Sequence, residues 1–241
     1  MQIKRLLACH ALAALLLISL FSPLSFWAFI DIPFFKWINS SLEGRPNWQL
    51  FWALANHKWA DWVEDLCVLL FFFAYVRQAS RGFRIKRIAE LLVCVLCIAA
   101  IIYCVNKTLL RENLKIPRLS PTLVVDPCIH LSDEISWMKI KDESSASFPG
   151  DHATTAILFA TMFTYLAGWR LGWLATCYAI FLCLPRLITG AHWLSDVLVG
   201  SGSIALVSLS WVFCTPLFTR STALLARMLS WTEYRQRGKN F

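Results

Sequence analysis

Three stretches of this 241-residue chain gather residue types that bind phosphate and move protons. The third reads Pro185-Arg186-Leu187-Ile188-Thr189-Gly190-Ala191-His192-Trp193-Leu194-Ser195-Asp196. If a helix begins there, His192 and Asp196 stand four apart and share a face. A carboxylate in that position accepts a hydrogen bond from one ring nitrogen, fixes the tautomer, and leaves the other nitrogen free to attack phosphorus. On its own, a His-x3-Asp pair more often holds helices together or binds a metal. Arg186 and the two other stretches move the balance toward catalysis.

The second stretch, Ser147-Phe148-Pro149-Gly150-Asp151-His152, directly precedes an apolar run and reads as a helix start. Ser147 suits a cap and Pro149 a first turn, so backbone N–H groups around Gly150 and Asp151 would point at a phosphate oxygen. His152 is then placed to give a proton to the leaving oxygen; without that role it would be an interfacial histidine. The first stretch spans residues 111–123 and carries Arg111, Lys115 and Arg118 beside a proline-rich loop. Arg118 is the best candidate there, because its planar fork, with that of Arg186, suits bidentate contacts to phosphate and neutralises charge on five-coordinate phosphorus. Arg111 and Lys115 compete for a helper role, against the plainer reading of a basic loop that steers anionic lipids.

The elements that must position these groups are membrane helices. Hydrophobic residues make up 58% of the chain and its mean hydropathy is +0.57, above the roughly 45–50% apolar share of soluble domains. Apolar runs over residues 6–27, 88–105, 153–167, 171–187 and 193–213 reach or approach the about 20 residues that cross a bilayer. A sixth, 60–76, qualifies with Asp61, Glu64 and Asp65 at its entrance, so the expectation is one all-α membrane domain of six spans over 1–241. Bulky Phe26, at the exit of the first run, argues for a retained signal anchor over a cleaved signal peptide.

Lys and Arg fix the orientation. With the N-terminus in the cytoplasm, Lys4 and Arg5, the cluster Arg77, Arg81, Arg84, Lys86 and Arg87, then Arg170 and the basic tail all lie inside, and the three motif stretches lie outside. The net charge of +8 then reflects topology and anionic lipid, with no nucleic-acid partner implied. Of nine cysteines only Cys128 falls in an outward loop, which makes disulfides and structural zinc improbable. Aromatics between the first two spans, among them Trp37, Trp48, Trp52 and Trp59, read as a membrane-surface segment. The long outward loop 107–148 is of the length that is usually functional.

In order and in topology these stretches resemble the three signatures of the type 2 phosphatidic acid phosphatase superfamily: Lys-x6-Arg-Pro, Pro-Ser-Gly-His and Arg-x5-His-x3-Asp. The third fits completely as Arg186, His192 and Asp196. Arg111 stands where the first has lysine, Leu119 replaces its proline, and Gly150-Asp151 replaces Ser-Gly. The resemblance implies a six-helix bundle and a phosphohistidine formed without metal or cofactor. It implies His192, Asp196 and His152 as catalytic residues, and Arg118, Arg186, Arg111, Lys115, Gly150 and Asp151 as phosphate-binding ones. The added carboxylate of Asp151 is unfavourable beside phosphate unless an arginine or a second substrate engages it.

Together with Ser120-Pro121-Thr122-Leu123 and Gly190-Ala191-His192-Trp193, these departures are similar to a Gram-negative branch of the superfamily. In that branch undecaprenyl pyrophosphate is the phosphate donor and the 1-phosphate of lipid A the acceptor, at the periplasmic face of the inner membrane. Two other readings remain at this point. One is a phosphatase of the same superfamily acting on undecaprenyl pyrophosphate or a phospholipid, with water as acceptor. The other is a lipid-binding or transport protein, disfavoured because the charged residues cluster at one face and line no midplane path.

Overall fold

Every regular element of the computed structural model, which describes residues 2–237, is a helix. In chain order these are α1 (Ile3–Phe21), α2 (Ala28–Ser40), α3 (Pro46–Asn56), α4 (Lys58–Arg77) and α5 (Arg84–Ile101). Wider π-helical turns carry α5 on through Ile102–Leu114. After the short α6 (Leu131–Glu134) come α7 (Asp151–Ile188), α8 (Gly202–Cys214), entered through a π-helical stretch at Asp196–Ser201, and α9 (Leu217–Arg237).

Among the described residues, four helices are long and apolar enough to cross a membrane: Ile3–Phe21, Arg81–Leu114, Asp151–Ile188 and Asp196–Cys214. The third is bent back on itself. Drawn straight, its 38 residues would measure about 57 Å at the usual rise, yet His152 near one end and Arg186 near the other approach to 3.3 Å. The reversal is at Gly168, whose φ of +76° lies where only glycine is comfortable. The two apolar runs expected over 153–167 and 171–187 are therefore the arms of one hairpin. Helix α4 has the length of a span, but Lys58, Asp61, Glu64 and Asp65 crowd its first turns, and by composition it stands apart from the four.

Large apolar side chains such as Leu7, Leu15, Leu66, Phe73 and Leu96 point outward, the reverse of a water-facing surface and the pattern a lipid environment stabilises. Inside, Phe71 and Phe72 of α4 pack on Phe159 and Phe163 of α7 with ring centroids 5.6–6.3 Å apart. Helix α1 lies along α8, and α9 along α5. The beginning of α4, both ends of α7 and the π-helical ends of α5 and α8 gather at one end of the bundle. The basic cluster at Arg77 and Arg87 lies at the other end of α4, where Tyr75 donates a 2.7 Å hydrogen bond to Glu90.

Helices α2 and α3 do more than sit at a surface. Trp37 and Trp59 are exposed as the surface reading expects, but Phe35 and Trp52 are buried. Asn39 donates 3.1 Å hydrogen bonds to the carbonyls of Ile129 and Ile188, and Asn56 donates to the Lys141 carbonyl and to Thr189 Oγ1. Two asparagines thus clamp the long loop and the turn after α7 together.

Candidate active site

The turn between α7 and α8 positions His192. Backbone N–H groups of Ala191 and His192 both bond the Arg186 carbonyl, and Gly190 makes the reversal with a φ of +80°. His192 lies before the helix, not on its first turn. The reason is Asp196, whose Oδ2 accepts from the Trp193 N–H at 2.9 Å and so ends the turn in front of the π-helical stretch. Consequently His192 and Asp196 meet across a turn and not along one helix face: Nδ1 and Asp196 Oδ2 are 3.7 Å apart, while Nδ1 donates its hydrogen bond at 2.6 Å to the Ser147 carbonyl.

The chemical result is still the expected tautomer. A carbonyl only accepts, so the Nδ1 proton is fixed and Nε2 keeps its lone pair. Nε2 makes no hydrogen bond among the described residues, in a side chain that is almost wholly buried. Its ring packs close to Gly150, where a Cβ would stand 3.5 Å from both Cδ2 and Cε1.

Gly150 is the N-cap of α7, with extended φ and ψ of −80° and 120°. Ser147 was expected to cap this helix. Instead the helix starts at Asp151 with no side-chain cap, and the Ser147 hydroxyl is buried without a hydrogen-bond partner among the described residues while its carbonyl serves His192. With no side-chain cap, the first N–H groups of α7 stand free beside the nucleophile, as an anion site requires. Asp151 does not spoil this site. Arg111 Nη1 meets its Oδ2 at 2.8 Å, and Asn106 from α5 donates to its Oδ1 at 3.2 Å. Lys115, at the end of the π-helical stretch with a φ of +47°, is exposed and makes no ion pair with this cluster among the described residues.

Arg186 donates to the Asn56 carbonyl at 3.1 Å and lies 3.3 Å from His152 Nε2. The same nitrogen is 3.4 Å from Asp61 Oδ1. The two contacts ask for opposite tautomers: Arg186 offers a proton to a lone pair, whereas Asp61 needs an N–H. His152 Nε2 thus sits between a cation and a carboxylate that favour opposite protonation states at that atom.

Arg118 is placed differently from the other cations. Its Nη1 is bonded to Asp196 Oδ1, while Nη2 donates to Asp31 Oδ2 at 3.0 Å and to Ser195 Oγ at 2.8 Å. Asp31 also accepts the Ser195 N–H at 3.0 Å and the Ser195 hydroxyl. Two carboxylates buried to 2% exposure or less thus share one guanidinium directly behind His192. Burial pushes the Asp31 carboxyl above its ordinary range, opposed by the Ser195 hydrogen bonds and the Arg118 charge. The loop that carries Arg118 is registered on the second stretch, with the Ser147 N–H bonded to the Arg118 carbonyl at 2.8 Å.

Asp31, Asn56, Asp61, Asn106 and Lys141 complete this surrounding, and none belongs to the three stretches. Asp61 had a sequence signal, the acidic group at the entrance to α4, read first as helix-end charge. Asp31, Asn56, Asn106 and Lys141 had none.

A model of the PAP2 superfamily matches residues 91–220, which contain all three stretches and most of the cluster just described. Lipid A 1-diphosphate synthase of Escherichia coli (strain K12) is 30% identical over 196 residues, covering 81% of this chain and 80% of that protein. The chain belongs to the PAP2 superfamily. No solved structure matches it. As a PAP2 protein it is a multi-pass membrane protein of a lipid phosphatase and phosphotransferase family. The segments outside the matched PAP2 range, α1 to α4 among them, supply Asp31, Asn56 and Asp61 to the same cluster.

Proposed function

We propose that the protein transfers the terminal phosphate of undecaprenyl pyrophosphate to the 1-phosphate of lipid A through a phosphohistidine on His192. The observation that carries this reading is the His192 side chain, with Nδ1 held by the Ser147 carbonyl and Nε2 free beside the uncapped N-terminus of α7. The choice of donor and acceptor is supported by the name of the bacterial relative and its coverage of four fifths of both chains.

In the first step Nε2 attacks the terminal phosphorus, the bond to the bridging oxygen breaks, and undecaprenyl phosphate leaves. Arg186, Arg111 and the α7 N–H groups stabilise charge on the phosphoryl oxygens. Arg118 acts from behind, by holding Asp196 near His192. In the second step an oxygen of the acceptor phosphate attacks the same phosphorus, the P–N bond breaks, and neutral His192 is restored with its Nδ1 proton in place. No cofactor or metal takes part in either step. A cavity of about 600 Å³ between α4, α5 and α7 suits the isoprenoid chain: Arg111, Lys107 and Asp151 lie at its polar end, and Phe72, Ile98 and Phe159 line its apolar walls. The layout is six spans in a bacterial inner membrane, with α4 as the second and the α7 arms as the fourth and fifth, both termini cytoplasmic and the site periplasmic.

The test is purified protein in lipid nanodiscs with undecaprenyl pyrophosphate labelled in its terminal phosphate, with and without lipid A. Label is expected in lipid A 1-diphosphate, and an acid-labile, base-stable phosphoenzyme is expected in wild type but not in His192→Ala. Label released only as inorganic phosphate, with lipid A present, would make the protein a phosphatase; turnover by His192→Ala would remove the phosphohistidine.

A further inference from the structure

Next to the catalytic cluster lies a second cavity, of about 480 Å³, between the turn that joins α3 to α4 and residues 139–143 of the long loop. Its walls are unlike those of the apolar grooves deeper in the bundle. Lys58, Lys139, Lys141 and Arg186 line it, against Asp61 and Glu143. Arg186, Asp61 and Lys141 also border the catalytic cluster, and of these lining residues only Arg186 has a part in the transfer steps described above.

Lys141 is held in place. Its carbonyl accepts a 2.9 Å hydrogen bond from Asn56, and the next residue, Asp142, is buried with its carboxylate on the Ser132 N–H at 2.8 Å and its carbonyl on the Thr122 hydroxyl. The side chain built on that fixed backbone has no ion-pair partner among the described residues. Burial, with Arg186 and Arg111 close by, pushes its ammonium below the ordinary lysine range, and only Asp151 pulls the other way. Cations gathered this closely raise one another's energy, and an anion seated among them removes the cost. The lining comes from loops and helix starts at the catalytic end and is polar, which suits a hydrated headgroup and not an acyl chain.

We propose that this cavity is the acceptor subsite, and that Lys141 and Arg186 hold the phosphate of a phosphorylated sugar headgroup there. The inference rests on the transfer reading and deepens it. Phosphoryl transfer requires the incoming oxygen to be positioned close to phosphorus and in line with the bond that breaks. Arg186 borders both the catalytic cluster and this cavity, so a phosphate bound on its cavity side is delivered next to the phosphohistidine. Water needs no such second cationic cradle.

Two measurements on the full-length protein in nanodiscs test the assignment. The first is binding of glucose 1-phosphate, with inorganic phosphate as the comparison, to His192→Ala and to His192→Ala carrying Lys141→Glu. The sugar phosphate is expected to bind more tightly than inorganic phosphate and to lose roughly ten-fold or more in affinity with Lys141→Glu, as removal of a charge-assisted hydrogen bond requires. The second compares Lys141→Ala with wild type in the two half-reactions. The loss in transfer to lipid A should exceed the loss in phosphoenzyme formation by about ten-fold, with Lys141→Arg recovering most of it.

Equal affinity in the two binding variants would overturn the subsite, as would a parallel loss in both half-reactions, which would move Lys141 to the donor phosphate. Inorganic phosphate bound as tightly as the sugar phosphate would reduce the cavity to a simple phosphate site and overturn its assignment to a headgroup. If wild type makes phosphoenzyme but passes nothing to lipid A, while sugar-phosphate binding still depends on Lys141, the transfer reading fails and the subsite stands.

Discussion

At the scale of single residues, the best cation candidate of the first stretch and a carboxylate with no sequence signal turn out to be partners. Arg118 and Asp31 are 87 positions apart, and no local spacing announces a contact of that kind. Asp31 reaches no substrate in the proposed mechanism; it is a positioning residue that acts through Arg118 and Ser195 on Asp196. Asp31→Asn keeps the shape and the acceptor for the Ser195 N–H, but it turns an NH₂ group toward donors that now have no carboxylate. Leaving such a donor unsatisfied costs about 1–3 kcal/mol, and one tenfold step in rate is about 1.36 kcal/mol. We expect kcat to fall about ten-fold or more with little change in donor KM, because orientation of His192 is lost and donor contacts are kept. A raised KM at unchanged kcat would assign Asp31 to binding, and full activity would show that Arg118 and Asp196 hold each other without it.

At the scale of elements, the helices were legible because long apolar runs have one stable form in a lipid environment. The reversal at Gly168 was legible as the gap between two runs. What the pattern could not give was the exact start of each helix at the catalytic end. Ser147 and Pro149 fit a helix start in composition, but the cap is Gly150, and His192 sits before its helix because Asp196 bonds the Trp193 N–H. Such one-turn differences are decided by tertiary hydrogen bonds, and here they hand the tautomer of His192 to the Ser147 carbonyl.

The start of α7 therefore carries a prediction of its own. A methyl group at residue 150 would stand 3.5 Å from the ring carbons of His192, an ordinary contact, and the backbone there is accessible to alanine. Gly150→Ala should fold with a loss of at most about 1 kcal/mol. It should nonetheless slow phosphoenzyme formation by about ten-fold or more, because the methyl packs against the His192 ring at the start of α7 and narrows the space in which phosphorus must come within roughly 3–3.5 Å of Nε2. Wild-type phosphoenzyme in that variant would mean that phosphate approaches His192 from elsewhere.

At the scale of the whole molecule, the proposed sidedness rests on the basic cluster from Arg77 to Arg87, at the end of the bundle away from the catalytic cluster, and on the preference of Lys and Arg for the cytoplasm. Cys128 offers a probe, since it alone among the nine cysteines lies in the long loop at the catalytic end. Its thiol is partly buried, with His130 Nε2 at 3.4 Å, and burial together with Asp126 and Asp142 pushes it above the ordinary cysteine range. The thiolate is the reactive form, so a raised pKa means slow labelling near neutral pH and a rate that climbs as pH rises toward that pKa. Weak labelling at pH 7 is thus no sign that the loop is cytoplasmic.

A cleaner pair is Ser136→Cys, exposed in the same loop, and Gln78→Cys, exposed after α4 beside Arg77, each built on Cys128→Ser. With intact cells whose outer membrane has been opened, an impermeant maleimide should label Ser136→Cys at once and Gln78→Cys only after the inner membrane is permeabilised. Wild-type Cys128 should label from the same side as Ser136→Cys, faster at pH 8.5 than at pH 7. Labelling of both engineered sites from one side would mean that α5, which lies between them, does not cross, and that α4, which ends beside Gln78, does not cross either. That result would take the second and third spans out of the six-span layout, and reaction of Ser136→Cys only from inside would place the phosphohistidine chemistry in the cytoplasm.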